Sequence, residues 1–465
     1  MTAGVHGVGA YAPRLRITDE EFEDAWGSFD GAGITEKAVP EADEDALTMA
    51  HEAARRALDA ADLAAGDVGF LAFASTTPPL AEEDLSVRLG GMLGVPAGAT
   101  HHVFTGSTRA GTRALSAALD AGGTGLVVAS DCPRGEPDSP EEHAAGAGAA
   151  AFVVGPDAPL EVAERAEHAT PYPATRFRPT GERDVRGLDV TSYDRQAFRD
   201  AVTGAADRLE LNLEELDAAA VQSPDGSLPY RVTGALGVSN EQVQAGTTVH
   251  ELGDTGAASV PLGVASAVAD GATDVLAVSF GSGAGADAVR FRGTAPAALA
   301  LDGETNLSYA EYLRRRGDVV GEKPDGGAAH VSVPTWRRSL PQRHRLVAGR
   351  CPECGGLTFP PEGACRHCDA LVEFESVRLA GPGEVEAVTR ISRGGEPPEF
   401  AAQQARSGEY GIALVAFEAG GERVSAPAQV VGGETEVGAA VEPVIRRVYT
   451  EESVTRYGFK VQPAE

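Results

Sequence analysis

One structural pattern occurs twice in this chain, and the repeat limits the possible folds more than any other feature of its 465 residues. In residues 110–155 and again in residues 255–293, a helix rich in small residues precedes an apolar strand, a Gly/Ala-rich turn and a second strand. A further helix and strand precede each copy. The repeat predicts a duplicated α/β/α layered domain, with halves at residues 1–165 and 166–293. Chance similarity between two alanine-rich stretches is the alternative.

Beyond this domain the pattern changes. Residues 294–300, TAPAALA, have the proline and alanine content of a linker, and LSYAEYLRRRG predicts a short helix within a helical linker over residues 294–333. After residue 371 the chain shows short alternating segments such as GEVEAVTRIS, GIALVAFEA and RVSAPAQVV, separated by pairs of glycines. This pattern is typical of a small β-barrel, which we place at residues 371–465.

Four of the five cysteines form two Cys-x-x-Cys pairs, and the fifth, Cys132, stands alone. The spacing of the pairs can place four thiolates around one tetrahedral zinc ion, with Cys351, Cys354, Cys365 and Cys368 as the ligands. A redox dithiol or disulfides are the alternatives, although no secretory signal supports disulfides. We expect a structural zinc ribbon over residues 334–370. Because four thiolates leave the metal no open position, only Cys132 remains for cysteine chemistry.

The chain is strongly acidic, with 69 acidic and 39 basic residues and a formal net charge of −30. Nucleic-acid binding depends on clustered Lys and Arg that release counterions, so this composition argues against a nucleic-acid partner. The absence of a long apolar run argues against a membrane span. Carboxylates spread along the whole chain are typical of a cytoplasm of high ionic strength. An acidic protein from an ordinary cytoplasm is the alternative.

Six segments in the first 320 residues match one family pattern: VHGVGAYAPRLRI, STRAGTRAL, VVASDCPRGEPDSPEEHAAGAGAAAFVVG, QSPDGSLPYRVTGALG, GDTGAASVPLG and SFGSGAGADAVRF. In these segments the chain resembles the archaeal type of hydroxymethylglutaryl-CoA synthase, within the thiolase superfamily. Residues 334–463, from PTWRRSLPQRHRLVAGRC to RYGFKVQP, resemble the zinc-ribbon and OB-fold proteins that accompany archaeal thiolase and synthase complexes. The resemblance implies a thiolase-type domain fused to a zinc ribbon and an OB-like barrel. It also implies an acyl-CoA thioester as substrate or ligand.

The chain departs from the family at three positions that carry its chemistry. The family's nucleophilic cysteine corresponds to Thr108, its general acid/base glutamate to Thr76, and its histidine to Gln222. A threonine hydroxyl is a poor nucleophile unless a base removes its proton, and an amide has no useful basicity. We therefore expect the family's condensation to be slow or absent.

Three other residues could supply chemistry in their place. Cys132 follows the strand LVVASD, where the resemblance puts it near the pocket, although a lone cysteine is more often a packing residue. His143 precedes AGAGAAAF and is a spare base or a solvated loop histidine. Asp254 replaces an asparagine in the family's Gly-Asn-Thr sequence and is a carboxylate base or a turn cap.

The resemblance also implies a thioester-binding turn. Backbone N–H groups of this glycine-rich turn could approach an acyl thioester, with the Thr108 amide completing an oxyanion site; the turn contains Gly281, Ser282, Gly283 and Gly285. Ser107 and Arg109 flank Thr108. Arg109 is either a charge in the pocket or the cover of a helix start.

Three functions remain open from the sequence. The chain could bind acyl-CoA without condensing it, act as an acyltransferase through Thr108, Ser107 or Cys132, or serve as a scaffold that recruits a thiolase or another synthase. By family analogy we expect a homodimer, and we expect the zinc-ribbon and OB-fold part to contact a thiolase or acyltransferase partner.

Overall fold

The computed structural model describes residues 3–188, 191–210, 216–319, 333–379, 381–392, 400–451 and 454–464. The chain forms two compact units. The first unit contains Met1–Pro40, Asp45–Gly90 and Val95–Tyr312, and the second contains Glu41–Glu44, Gly91–Gly94 and Leu313–Glu465.

The strands are β1 Ala3–Tyr11, β2 Leu15–Thr18, β3 Glu36–Val39, β4 Phe70–Ala74, β5 Thr100–Phe104, β6 Gly125–Asp131, β7 Gly148–Pro156, β8 Leu160–Ala169, β9 Ala218–Val221, β10 Asp274–Gly281, β11 Gly285–Gly293, β12 Ala297–Ala300, β13 Thr305–Asn306, β14 Val347–Arg350, β15 Leu357–Thr358, β16 Glu375–Arg378, β17 Gly383–Ile391, β18 Tyr410–Ala419, β19 Glu422–Val430, β20 Ala440–Glu451 and β21 Val454–Pro463. The helices are α1 Asp19–Trp26, α2 Ala46–Ala60, α3 Leu85–Leu93, α4 Ala110–Ala121, α5 Pro140–Ala144, α6 Thr191–Ala206, α7 Thr233–Leu236, α8 Asn240–Ala245, α9 Val249–Leu252, α10 Ser259–Ala269, α11 Tyr309–Arg316, α12 Val333–Arg345 and α13 Ala401–Ser407.

The main sheet of the first unit contains the duplication that the sequence predicts. Its strand order is β5-β4-β6-β7-β1-β8-β11-β10-β9. Strands β4, β6, β7 and β1 of one half correspond in order and direction to β9, β10, β11 and β8 of the other. Strands β4 and β6 pair in parallel, as do β9 and β10 in the other half. The next pairs are antiparallel in both halves: β6–β7 and β7–β1 in one, and β10–β11 and β11–β8 in the other. The fold class is therefore the expected duplicated α/β architecture.

Close packing between the halves explains the small residues of the repeated helices. A Cβ added to Gly111 in α4 would lie 2.6 Å from the carbonyl oxygen of Ala257, just before α10. Residues of α4 and α10 belong to one apolar cluster together with residues from both halves of the sheet. Larger side chains at these contacts would force the two halves apart.

The prediction of a linker at residues 294–300 is wrong. Ala297–Ala300 forms β12, which pairs in parallel with β1 from Val8 to Tyr11. The pairing partner lies almost 290 residues away in sequence, so local proline and alanine content could not reveal it. Most of the stretch after α11, residues 320–332, lies outside the described residues.

The second unit contains a ribbon and a barrel. Strands β15, β14 and β16 form a three-stranded sheet, and β17-β18-β19-β21-β20 forms a closed barrel. Alternating apolar residues of the barrel strands form its core, including Val385, Val415, Ala426, Val441 and Val461. The segment that we assign to the ribbon, residues 334–370, begins with a helix: α12 precedes the first ribbon strand.

Candidate functional site

A cavity of about 580 Å³ lies in the first unit where several elements of the duplicated fold end. Its wall includes Pro133 after β6, Gln222 after β9, Phe280 near the end of β10 and Thr108 just before α4. Parallel strands bring their carboxyl ends to one edge of a sheet, and in α/β proteins ligands bind at such edges. The fold therefore brings Thr108 and Gln222, two of the three positions that we align with the catalytic residues of the resembled family, into one cavity.

Thr108 and Gln222 are both buried and both hydrogen-bonded to the backbone. The Thr108 hydroxyl donates to the carbonyl oxygen of Phe280 at 2.5 Å. The Gln222 side-chain amide donates to the carbonyl oxygen of Gly256 at 2.9 Å. Since Gly256 O can only accept, this bond fixes which end of the Gln222 amide faces it. Both side chains are therefore held in position by neutral partners.

Thr76, the third of these aligned positions, is not among the described residues that line the cavity, and its side chain binds Asp131. The carboxylate of Asp131 is fully buried and accepts six hydrogen bonds of 2.7–2.8 Å, from Ser75 Oγ, from the amide and hydroxyl of Thr76 and of Thr77, and from the amide of Ala257. Asp131 thus ties the end of β4 to the turn before α10. The sequence analysis did not single out this aspartate.

Asp254 lies in the cavity wall, buried and ion-paired with Arg176. Its other carboxylate oxygen accepts the amide hydrogen of Gly256 at 2.9 Å, so it also caps a turn. Burial raises the pKa of the Asp254 carboxyl above its ordinary value of 3.8, and Arg176 opposes this rise. Asp254 is therefore the candidate base that the structure brings to the cavity together with Thr108 and Gln222.

The description of His143 as a loop residue is wrong. It lies in the short helix α5 and is fully buried, with its ring stacked on Phe29 at 5.3 Å and packed against Phe22 at 4.9 Å. Its Nδ1 accepts the amide hydrogen of Asp30 at 2.9 Å. Burial, and then the ammonium of Lys37, lower the pKa of His143 below its ordinary value of 6.5. The described cavity wall contains its neighbours Glu141 and Ala144 but not His143.

Cys132 is half-buried beside the cavity. Its amide donates to the Thr77 hydroxyl at 2.9 Å, and its Sγ lies 3.9 Å from the same oxygen. In the described part of the chain, the cavity wall includes the next residue, Pro133, but not Cys132. Cys132 therefore has the environment of a packing residue.

Arg109 is not among the described residues that line the cavity. It precedes α4, and its guanidinium binds both carboxylate oxygens of Asp287 in β11, with Nε to Oδ2 at 3.0 Å. Ser107 Oγ accepts the Arg109 amide hydrogen at 3.3 Å. Of the glycine-rich turn, Ser282 lines the cavity and accepts the amide hydrogen of Arg176 at 3.0 Å, whereas Gly281 and Gly283 are not among the described lining residues.

The rim of the cavity carries exposed arginines, which the sequence analysis missed, although the described wall as a whole holds as many carboxylates as arginines. Exposed arginines line the cavity mouth, at Arg186, Arg195 and Arg231. Arg186 is ion-paired with Glu136 at 3.0 Å, while Arg195 and Arg231 form no ion pair with the described carboxylates. The high arginine content of RFRPTGERDVR in an acidic chain is the signal that could have revealed part of this rim.

The four ribbon cysteines form one cluster in the second unit. Their sulfur atoms all lie within 4.8 Å of one another, with Cys351–Cys368 at 3.8 Å and Cys354–Cys365 at 3.6 Å. A disulfide requires about 2.05 Å between sulfurs, whereas a tetrahedron with Zn–S bonds of about 2.3 Å has edges of about 3.8 Å. The cluster therefore fits a tetrahedral zinc ion and not a pair of disulfides.

The helices that the structure describes include none long and apolar enough to cross a membrane.

Comparison with known proteins gives separate matches for the two parts of the chain. Residues 338–375 match the family "ChsH2, rubredoxin-like zinc ribbon domain". The hydroxymethylglutaryl-CoA synthase of Methanopyrus kandleri is 32% identical over 347 residues, covering 67% of this chain and 97% of that protein. The same enzyme of Archaeoglobus fulgidus is 32% identical over 306 residues, covering 63% of this chain and 89% of that protein.

Solved structures support the same fold. The crystal structure of a hydroxymethylglutaryl-CoA synthase complexed with CoA superposes with a TM-score of 0.59 at 17% identity, covering 71% of this chain and 94% of that one. The 3-oxoacyl-[acyl-carrier-protein] synthase III from Aquifex aeolicus gives a TM-score of 0.56 at 18% identity, covering 62% of this chain and 99% of that one.

Proposed function

Since this chain belongs to the hydroxymethylglutaryl-CoA synthase family, we propose that it binds coenzyme A thioesters in the cavity described above but does not perform the family's ordinary condensation. The observation that carries this proposal is the polarity of the cavity. Its exposed rim has arginines together with Asp30, and its buried end has the uncharged Thr108, Gln222 and Phe280 beside the Asp254–Arg176 ion pair.

A coenzyme A thioester likewise has a charged end and a weakly polar end. Its phosphates need cations that are accessible from solvent, and Arg195 and Arg231 are exposed and form no ion pair with a described carboxylate. Its acyl end is small and only weakly polar, which suits the buried end of the cavity. A solved synthase structure of the same fold is a complex with CoA.

The absence of condensation rests on the residue types at the three substituted positions. Thr108 donates its hydroxyl hydrogen to Phe280 O, which is a neutral acceptor and not a base. Gln222 cannot accept a proton at neutral pH, and the Thr76 hydroxyl is bound to Asp131. No residue at these positions can therefore activate a nucleophile or remove a proton from an acetyl group.

An active acyltransferase is the second candidate, and Asp254 is the observation that favours it. Its carboxylate lies in the cavity wall, and burial raises its pKa above the ordinary value of 3.8 while Arg176 opposes the rise. Such an enzyme would form a covalent acyl adduct on Thr108, Ser107 or Cys132, which the proposed binding protein does not form.

For the second unit we propose a structural zinc ion at Cys351, Cys354, Cys365 and Cys368, and a role for the ribbon and barrel in contacting a partner thiolase or acyltransferase. The zinc would fix the ribbon turns and would take no part in the chemistry, because four thiolates complete its coordination. We also propose a homodimer, by analogy with thiolase-fold proteins.

Titration calorimetry with CoA and acetyl-CoA, at one fixed salt concentration, tests the binding proposal. The double variant Arg195→Glu/Arg231→Glu should bind both ligands at least about tenfold more weakly, which is a loss of at least about 1.4 kcal/mol of binding free energy. Arg199→Glu is the matched control, because Arg199 is exposed on the same helix as Arg195 but is absent from the described cavity wall. Undetectable CoA binding by the native protein, or equal affinity in both variants, contradicts the proposal.

A further inference from the structure

The cavity contains an ion pair that coenzyme A binding does not require. Arg176 Nη1 donates to Asp254 Oδ2, and both residues line the cavity. The Asp254 side chain is 3% exposed and that of Arg176 is 22% exposed. The guanidinium therefore faces the ligand space with its charge already neutralised by a more deeply buried partner.

The backbone holds both members of this pair in place. The amide of Asp254 donates to Ala144 O at 2.7 Å, and its carbonyl accepts the amide hydrogen of Gly146 at 3.0 Å. The amide of Arg176 donates to Ser282 Oγ at 3.0 Å. These bonds fix the two backbones, so the pair can separate only if a side chain rotates and breaks the ion pair.

Asp131 adds a second carboxylate behind Asp254. It acts on Asp254 electrostatically, and its own carboxylate is hydrogen-bonded to neutral donors in every contact given above. A ligand carboxylate beside the pair would meet the Asp254 carboxylate and a guanidinium that Asp254 already binds, while Arg134 is a further cation of the wall and Arg178 binds Thr76 O. Like charges repel strongly where burial lowers the effective dielectric constant.

Building on the proposed binding of coenzyme A thioesters, we propose that the Asp254–Arg176 pair determines acyl specificity, so that the cavity accepts uncharged acyl groups and rejects those that end in a carboxylate. Asp254 is the selecting residue. It occupies the guanidinium that would otherwise bind a carboxylate, and it adds a negative charge of its own. Asparagine at this position would keep an acceptor for the Gly256 amide and would leave Arg176 available to the ligand.

Pentanoyl-CoA and glutaryl-CoA test this inference, because they differ only in a terminal methyl group against a terminal carboxylate. By titration calorimetry, the native protein should bind pentanoyl-CoA at least about tenfold more tightly than glutaryl-CoA. In Asp254→Asn the ratio should fall by at least about tenfold, through tighter binding of glutaryl-CoA. The double variant Asp254→Asn/Arg176→Gln should lose that gain, since no cation is left for the carboxylate.

Free CoA separates failure of this inference from failure of the proposed function. If CoA and both acyl-CoAs fail to bind the native protein, the proposed function fails and the inference fails with it. If CoA binds but glutaryl-CoA binds as tightly as pentanoyl-CoA, only the specificity is overturned. An unchanged ratio in a folded Asp254→Asn variant, checked by circular dichroism, overturns the role of Asp254. Should that variant not fold, the comparison in the native protein decides.

Discussion

The hydroxyl of Thr108 donates its hydrogen to the backbone carbonyl of Phe280, with 2.5 Å between the two oxygens. This bond connects the start of α4 to β10 across the two halves of the duplicated domain. A nucleophile needs a base at that hydrogen, and a peptide carbonyl is not one. In the proposed account, the residue that we align with the family's nucleophile therefore serves the structure and leaves the cavity available for binding.

Replacing Thr108 by valine should reduce the free energy of unfolding by about 1 kcal/mol, because a buried hydrogen bond is lost while the shape of the side chain is kept. The affinity for acetyl-CoA should change by less than about twofold, or about 0.4 kcal/mol. Urea denaturation and calorimetry measure the two quantities. Thr105→Val, at an exposed threonine of the same segment, is the control for valine substitution. Loss of acetyl-CoA binding with unchanged stability would show that the hydroxyl serves the ligand.

Asp131→Asn should destabilise the first unit by about 3 kcal/mol, because an amide nitrogen would face donors that now point at a carboxylate oxygen. Guanidinium denaturation followed by circular dichroism measures the change. Asp120→Asn is the control: Asp120 is 66% exposed and pairs with Arg165, so its loss should cost less than about 1 kcal/mol. Equal effects of the two variants would mean that the buried network around Asp131 contributes little.

His143 should make stability depend on pH below about 6.5. The folded state lowers its pKa, through burial and Lys37, against which Asp30 and Asp138 act. Above pH 6.5 the histidine is neutral in both states and contributes nothing. As the pH falls below 6.5, the unfolded chain binds the proton first, so the free energy of unfolding decreases by at most about 1.4 kcal/mol per pH unit until the folded-state pKa is reached.

Unfolding of the His143→Phe variant from pH 5 to 8 checks this slope. Phenylalanine keeps the aromatic contacts with Phe22 and Phe29 and removes the titrating group. Its slope between the folded-state pKa and 6.5 should be smaller than that of the native protein. A His143→Phe slope identical to the native one would contradict the assignment.

The ribbon should contain one zinc ion per chain. Elemental analysis should find it in the native protein and in Cys132→Ser, and should find less in Cys351→Ser, where one of four ligands is lost. Removal of the metal by a chelator should increase hydrogen exchange first in residues 345–375. Full zinc content in Cys351→Ser would contradict the four-thiolate site.

Local patterns predicted the features that depend on short-range order. The Cys-x-x-Cys spacing predicted the ribbon, because the ligands of each knuckle are neighbours in sequence. The repeated helix and strands predicted the duplicated sheet, because hydrophobic periodicity is a local property. The alternating segments after residue 371 predicted the barrel strands for the same reason.

Features that depend on distant contacts were missed. The burial of His143 depends on Phe22 and Phe29, which lie more than 100 residues earlier. The strand β12 depends on β1 at the other end of the first unit. The rim arginines Arg195 and Arg231 come from a helix and from a later segment of the chain, so neither residue forms a motif by itself.

Intact-mass spectrometry of the native protein, after incubation with acetyl-CoA and with acetoacetyl-CoA, tests the central claim most directly. Calorimetry under the same conditions shows whether the ligand is bound. The account predicts binding of acetyl-CoA with no change in protein mass. A stoichiometric acyl adduct, mapped to Thr108, Ser107 or Cys132, would contradict it and would establish an active acyltransferase.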